Sequence, residues 1–322
     1  MIGCRFLASW AAILFLAALT GPALGQAPRY VVYYNSEATP LSKVGGADYT
    51  HVMLSFLTVA ETGGAAPLSL VTPTPLANQL GDVAALKRAG KIVLASFGGG
   101  AMTEGSWARV AGREAETAAL LAEFATSHGL AGVGIDFEIS SALHQASENR
   151  PFDGRSLLVA LTRHLRAALP AGALISHAPQ PPYLDPRWEG GPYLDILRQA
   201  GGAIDWIAVQ YYNNRGYDAP AAVHVVGDPH KPFVTSVAGL VGGVNGFRWP
   251  VEKIVVGKPI YRDDAASGHL PPKRVRDEIL APLVSRYGNR FGGLMGWQFS
   301  DLTSDHRFWN TSMTPGLLET GR

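Results

Sequence analysis

The chain has 322 residues, of which 47% are hydrophobic and 16% charged, with 37 glycines and 22 prolines, a globular composition that excludes a disordered tail or a coiled coil. Lys and Arg number 27 against 26 Asp and Glu, so the formal charge of +1 sets up no field that would draw the protein onto nucleic acid or an anionic membrane surface. A neutral partner is the better expectation, and the length suits either two average domains or one α/β barrel of about 250 residues behind a leader.

The leader is read first. Arg5 closes a short basic start, an apolar run covers 6–19, and Ala23-Leu24-Gly25 offers small residues before Gln26. Residues 1–25 therefore read as a signal peptide and 26–322 as the mature domain, secreted or periplasmic. A membrane anchor would need about 20 apolar residues, and Thr20, Gly21 and Pro22 interrupt the run. The single cysteine, Cys4, lies in the leader, which excludes disulfides, thiol catalysis and cysteine-metal sites in the mature chain. Asn310-Thr311-Ser312 is a glycosylation sequon for a host that glycosylates.

Along the mature chain, apolar runs rich in Val, Ile and Tyr recur at 30–35, 51–59, 91–97, 131–138, 173–178, 205–212, 253–260 and 292–299. Between them lie helical periods, clearest at 113–127, 155–169 and 273–287, where apolar residues fall three and four apart. Near-continuous apolar strands alternating with helices predict a parallel sheet, and eight of them predict a single (β/α)8 TIM barrel without a large inserted subdomain. The competing arrangement is an open doubly wound sheet, which leaves two edges to protect. His177, inside the fifth run, is expected as a hydrogen-bonded core residue.

In a barrel the working face is built from the C-terminal ends of strands. The fourth run ends Gly134-Ile135-Asp136-Phe137-Glu138, whose carboxylates two residues apart project to the same side, the lumen. Neighbouring inward carboxylates raise one pKa and leave a general acid protonated near neutral pH. The third run ends Ser96-Phe97-Gly98-Gly99-Gly100, where glycines permit tight turning and close approach of a substrate. It lacks the Lys and Ser/Thr of a phosphate loop and the acidic partner of a dinucleotide fingerprint, so no such cofactor is expected. The sixth run ends Gln210-Tyr211-Tyr212-Asn213-Asn214 and the eighth holds Trp297. An aromatic floor with amide and phenol donors around a carboxylate pair suits a sugar, whose flat face stacks on rings while its rim hydrogen-bonds. No G-x-S-x-G elbow, HExxH motif or paired-histidine metal spacing is present, so neither a metal nor a serine nucleophile is expected.

These residues resemble glycoside hydrolase family 18, the chitinases and endo-β-N-acetylglucosaminidases, and in motifs the plant- and fungal-type single-domain chitinases. The fourth-strand motif DxxDxDxE is similar to 131–138, SxGG matches Ser96-Phe97-Gly98-Gly99, and QFYNN matches Gln210-Tyr211-Tyr212-Asn213-Asn214. Ala178-Pro179-Gln180-Pro181 is similar to the family's APQ segment, and Trp297 falls where the family keeps a tryptophan beneath the reacting sugar. The resemblance implies Glu138 as the catalytic acid and base, Asp136 as its partner orienting the 2-acetamido group, and Tyr212 as a donor to the acetamido oxygen. It further implies Trp297, Asn213, Gln210, Gln180, Ser96, Gly98, Gly99, Phe56 and Tyr33, or its neighbour Tyr34, as substrate-binding residues. The reaction implied is retaining hydrolysis of β-1,4-linked N-acetylglucosamine with the substrate's own acetamido oxygen as nucleophile.

Two motif aspartates are replaced, by Ala131 and Gly134. Without a carboxylate at 134, Asp136 loses a like-charged neighbour, and its pKa and rotamer behaviour should differ from those of a typical member. The partner implied is an N-acetylglucosamine-containing oligo- or polysaccharide, met by a monomer with no cofactor, nucleic acid or membrane after cleavage of the leader. The alternatives are action on the chitobiose core of N-glycans, and a non-catalytic carbohydrate-binding barrel. Only about 30 residues separate the last two runs, so the cleft should be shallow and open, and nothing of domain size outside the barrel suggests an appended binding module.

Overall fold

The computed structural model describes residues 28–318 apart from 36–38, 62–65, 146–147, 149, 245 and 301–304; the leader lies outside the described residues. Nine strands form: β1 Arg29–Tyr34, β2 His51–Val59, β3 Leu70–Val71, β4 Ile92–Gly98, β5 Gly132–Asp136, β6 Leu174–His177, β7 Trp206–Gln210, β8 Ile254–Pro259 and β9 Gly293–Trp297. Each of the eight expected runs coincides with one of them to within a few residues at the ends. The ninth, β3, is a two-residue antiparallel strip on the end of β2 that no hydrophobic pattern announces.

The sheet runs β1-β9-β8-β7-β6-β5-β4-β2, and β1 pairs with β2, so eight parallel strands close on themselves and leave no edge. This is the (β/α)8 barrel, and the open doubly wound sheet is excluded. Strands buried on both faces are why the runs read as continuous rather than alternating. Inward side chains include Val31, Tyr33, Met53, Leu94, Trp206, Ala208, Val255 and Met295, which pack into a single lumen cluster. At its lower end the Arg29 guanidinium sits 4.9 Å above the Trp206 ring and the His51 ring meets it at 5.5 Å, plugging the barrel.

The helices supply the outer layer. Glu114–Ser127 and Gly154–Ala168 match the expected periods within a residue, and Leu158, Leu161 and Leu165 of the second face the barrel wall. Asp153 caps that helix, its carboxylate accepting from the Ser156 N–H at 3.2 Å. The period at 273–287 also forms, but with a wide π turn, Arg276–Leu280, between Pro272–Val275 and Ala281–Tyr287.

Two side chains settle separate expectations. His177 lies within β6 at 1% exposure, bonded to the Thr162 hydroxyl at 3.0 Å and the Tyr193 hydroxyl at 2.9 Å, and burial pushes its pKa down to about 3, so it is a neutral core residue. Asn310, the sequon asparagine, is only 7% exposed in helix Asp305–Leu318, which removes the side chain from any glycosylating enzyme acting on the folded protein.

Candidate active site

The carboxylate pair occupies the C-terminal mouth of the barrel. Asp136 ends β5 at 4% exposure, close enough to the half-buried Glu138 for each carboxyl to act on the other's ionisation. The Gln210 side-chain amide, at the end of β7, donates to Asp136 Oδ1 at 2.8 Å and to the Ala178 carbonyl at 2.9 Å, tying three strand ends together. Burial lifts Asp136 well above the usual carboxylate range and the charge of Glu138 adds to the lift, while Gln210 opposes it. Burial raises Glu138 as well, held back by hydrogen bonds from Gln210 and Asp136. The pair therefore holds one proton between two oxygens over a range where isolated carboxyls would both be ionised.

That arrangement has a consequence for stability. A carboxyl harder to ionise in the folded protein than in the unfolded chain favours folding at low pH, and the contribution is lost as pH rises through the raised value. Relative to Asp136→Asn, the wild-type melting temperature is expected to fall as pH rises from about 4 to about 8, because only the wild type must charge this group in the core. Thermal scans of both proteins across that range check it; a constant difference would mean that Asp136 titrates like an exposed carboxyl.

Above the pair, three rings form a floor. Tyr33, Phe56 and Trp297 have centroids 6.0 Å (Tyr33 to Phe56), 5.7 Å (Tyr33 to Trp297) and 5.8 Å (Phe56 to Trp297) apart. Phe56 reaches this face because the register of β2 against β4 shifts between Leu54 and Leu57; simple alternation from the inward Met53 would have turned it outward. Tyr33 is the first-strand tyrosine in the lumen, beside Ser96 and close enough to Asp136 to feel its charge. Tyr34 faces the outer layer and donates to the Thr39 carbonyl at 2.5 Å, though one side of it lines the groove below. Tyr212 is buried in the lumen, where burial and both carboxylates raise its pKa far above the ordinary phenol, so it remains a protonated donor.

A groove of about 490 Å³ opens beside the floor, lined by Phe56, Trp297, Gly100 and, on its far wall, Pro73, Pro75 and Leu76. A Cβ at Gly100 would stand 3.3 Å from Glu138 Oε2, so the acid lies at the groove's edge.

Other expected residues have roles within the protein. A Cβ on Gly98 (φ +110°) would lie 2.0 Å from the Asp136 carbonyl oxygen, and one on Gly99 (φ +74°) 2.7 Å from the Phe56 ring. These two glycines admit protein atoms, and the close approach expected for substrate is taken by Asp136 and Phe56. Asn213, at φ +57°, is exposed, and its side-chain oxygen accepts from the Ala266 N–H at 2.7 Å, joining the loop after β7 to that after β8. Gln180, half-buried, opens the short turn after β6, its carbonyl accepting from the Tyr183 N–H at 3.1 Å. Ser96 is fully buried one layer below the site, across the sheet from Gly134 and, beyond it, Ser176.

At position 134 the missing carboxylate would meet two side-chain tips that must move aside. A Cβ there would lie 2.4 Å from Met53 Cε and 2.8 Å from Ser176 Oγ, so the space beneath Asp136 is filled by a thioether methyl and a hydroxyl. Asp264, which no motif marks, also stands at the mouth. Its carbonyl accepts from Trp297 Nε1 at 3.3 Å and its carboxylate from the Gln298 backbone and side-chain N–H groups, each at 3.3 Å. It ends the short 3-10 turn Arg262–Asp264 after β8, where neither period nor spacing singles it out.

Comparison with known proteins gives the family. The sequence profile of the glycosyl hydrolases family 18 matches residues 29–300. A chitinase from Enterococcus faecalis is 28% identical over 228 residues, 67% of this chain, which spans 61% of that relative's length. The crystal structure of a family 18 chitinase from Pseudoalteromonas aurantia superposes with a TM-score of 0.74 at 30% identity, covering 89% of this chain and 99% of the other. A chitinase, ChiC, from Aspergillus fumigatus shares the barrel at 21% identity and a TM-score of 0.62, over 85% of this chain and 92% of its own. With the family profile running from the first residue of β1 to just beyond β9, across every strand that feeds the mouth, the chain belongs to glycosyl hydrolase family 18.

Proposed function

We propose that the protein is an exported retaining glycosidase that hydrolyses β-1,4-linked N-acetylglucosamine, in chitin or chitooligosaccharides, by substrate-assisted catalysis. The observation that carries this reading is the electrostatically linked pair of Asp136 and Glu138, two residues apart at the end of β5. Two carboxyls that act on each other's ionisation and share a proton work as one group, unlike an acid and nucleophile held roughly 5–5.5 Å apart or an inverting pair at roughly 6.5–9.5 Å. Glu138 with Asp136 is thus one proton-handling unit and does not supply an attacking carboxylate. A sugar bearing a 2-acetamido group brings its own nucleophile.

In this scheme a sugar stacks on Trp297, and Glu138 protonates the leaving glycosidic oxygen as the acetamido oxygen attacks the anomeric carbon. Asp136 and Tyr212 hold the acetamido N–H and oxygen and stabilise the positive charge that develops on the group. Glu138, now ionised, takes a proton from the water that opens the bicyclic intermediate, and two inversions give net retention. Export is supported by the leader pattern in 1–25, and a mature amino terminus at Gln26 is its expected outcome by N-terminal sequencing.

The deciding experiment offers the mature protein a defined N-acetylglucosamine oligomer and, in parallel, a high-mannose N-glycopeptide, with products resolved by mass and the first-formed anomer by NMR. Cleavage of the oligomer to the β-anomer is expected. Cleavage of the glycopeptide alone would reassign the substrate to the chitobiose core of N-glycans. Binding of the oligomer without cleavage of either would make the protein a carbohydrate-binding barrel, a reading favoured by the filled space beneath Asp136.

A further inference from the structure

Lys258 breaks the pattern of β8. Ile254 and Val256, on the outward face of the strand, join the apolar layer between barrel and helices, while Val255 faces the lumen. The same alternation puts Lys258 outward, where an aliphatic residue would continue the layer. It is instead an ammonium with 0% exposure. Burial lowers its pKa to about 8, a cost that a plain core residue would not carry. A polar group kept in such a layer marks a place where local packing is overruled by something else.

Its Nζ donates to the Tyr211 carbonyl at 2.6 Å. That carbonyl belongs to the peptide that leads into Tyr212, and the N–H of the same peptide donates to the Gln210 carbonyl at 2.7 Å. Both polar ends of the peptide are therefore held, one by Lys258 and one by the strand end that also holds Asp136. On the other side of Tyr212, its own carbonyl accepts from Asn214 Nδ2 at 2.7 Å. Asp218, 3% exposed and close enough to favour the charged lysine, accepts through Oδ2 from the Asn214 N–H at 3.2 Å and the Ser267 hydroxyl at 2.5 Å. Gly268 completes the seam: its φ is +83°, and a Cβ there would lie 2.7 Å from both the Tyr211 oxygen and Tyr212 Cα.

We propose that Lys258 is a positioning residue for the glycosidase reaction: with Asp218 and Ser267 it fixes the peptide preceding Tyr212, and so aims the Tyr212 hydroxyl at the acetamido oxygen. The proposal rests on the function proposed above, because the acetamido group is the target of that hydroxyl. Lys258 itself touches no substrate. Its effect is on a contact that strengthens as the acetamido group acquires charge, which lowers kcat while leaving ground-state binding in place.

Lys258→Met keeps an unbranched side chain one atom shorter and removes the donor. Steady-state kinetics on the N-acetylglucosamine oligomer are expected to show kcat reduced about tenfold with KM changed less than about threefold. Oligomer affinity measured in a Glu138→Gln background should not change on adding Lys258→Met. Ser267→Ala, on a half-buried loop, should lower kcat in the same sense and by less. A folded Lys258→Met protein with kcat within about twofold of wild type, or with its whole loss in KM, overturns the proposal. Should that chain fail to fold, unchanged kcat in Ser267→Ala overturns it instead. A wild type that cleaves no acetamido sugar removes the glycosidase reading and this role with it, whereas an active wild type with undiminished Lys258→Met turnover removes only the role of Lys258.

Discussion

Replacing Glu138 by glutamine is expected to reduce kcat on an N-acetylglucosamine oligomer at least about a thousandfold, equivalent to about 4 kcal/mol of transition-state stabilisation. Glutamine keeps the size of the side chain and can still hydrogen-bond Asp136, so the floor of Tyr33, Phe56 and Trp297 and the bond from Gln210 to Asp136 should survive. What is lost is the transferable proton. Binding should persist, because stacking on the rings and burial in the groove do not depend on protonation of the leaving oxygen. Isothermal titration with the oligomer beside product analysis measures both quantities on one preparation. Residual turnover within about tenfold of wild type would mean that another group supplies the proton and would remove Glu138 from its assigned role.

The second large effect is on stability. Gly98→Ala is expected to destabilise the fold by about 2–4 kcal/mol, combining a methyl in the left-handed region with overpacking of a closed sheet. Gly98 pairs with Asp136 across β4 and β5, and the Gly99 N–H donates to the Asp136 carbonyl at 2.8 Å. A methyl 2.0 Å from that carbonyl has no flexible tip to displace, only the backbone that carries the catalytic aspartate. At roughly 2–4 °C per kcal/mol for a chain of this order, the melting temperature should drop by about 4–16 °C. Activity at low temperature should fall too, since any relaxation moves Asp136 away from Gln210. A melting temperature within about 2 °C of wild type would show that the two strands can part there at little cost.

The barrel was readable from sequence because strands buried on both faces carry no polar alternation and clear amphipathic periods follow several of them. The pairing of Asp136 with Glu138 was readable too, since a spacing of two on an extended chain allows little else. Phe56 shows where pattern runs out: strict alternation from Met53 sends it outward, and the register shift that turns it inward has no signature in residue type. Gly98 and Gly99 read as room for a substrate, but the room is taken by neighbouring strands that only the register identifies. Asp264 and Lys258 were not legible at all. The first sits on a segment with no period, and the second joins a strand to a carbonyl 47 residues earlier, a relation that exists only after the barrel closes.

The Met53 methyl beneath Asp136 also constrains how this site can change over generations. A single Gly134→Asp substitution would bury a third carboxyl against a thioether, with Ser176 as its nearest hydrogen-bonding group, at the cost of an underpaired charge in the core. Shortening Met53 first would open a hole in the lumen that brings no benefit until the carboxylate arrives. The underpaired charge is the main cost of the single step, while the thioether tip of Met53 can swing aside, so residues 53 and 134 are coupled through the space that they share. A mutational library that varies residues 53 and 134 together measures that coupling, which a library that samples them one at a time leaves unseen.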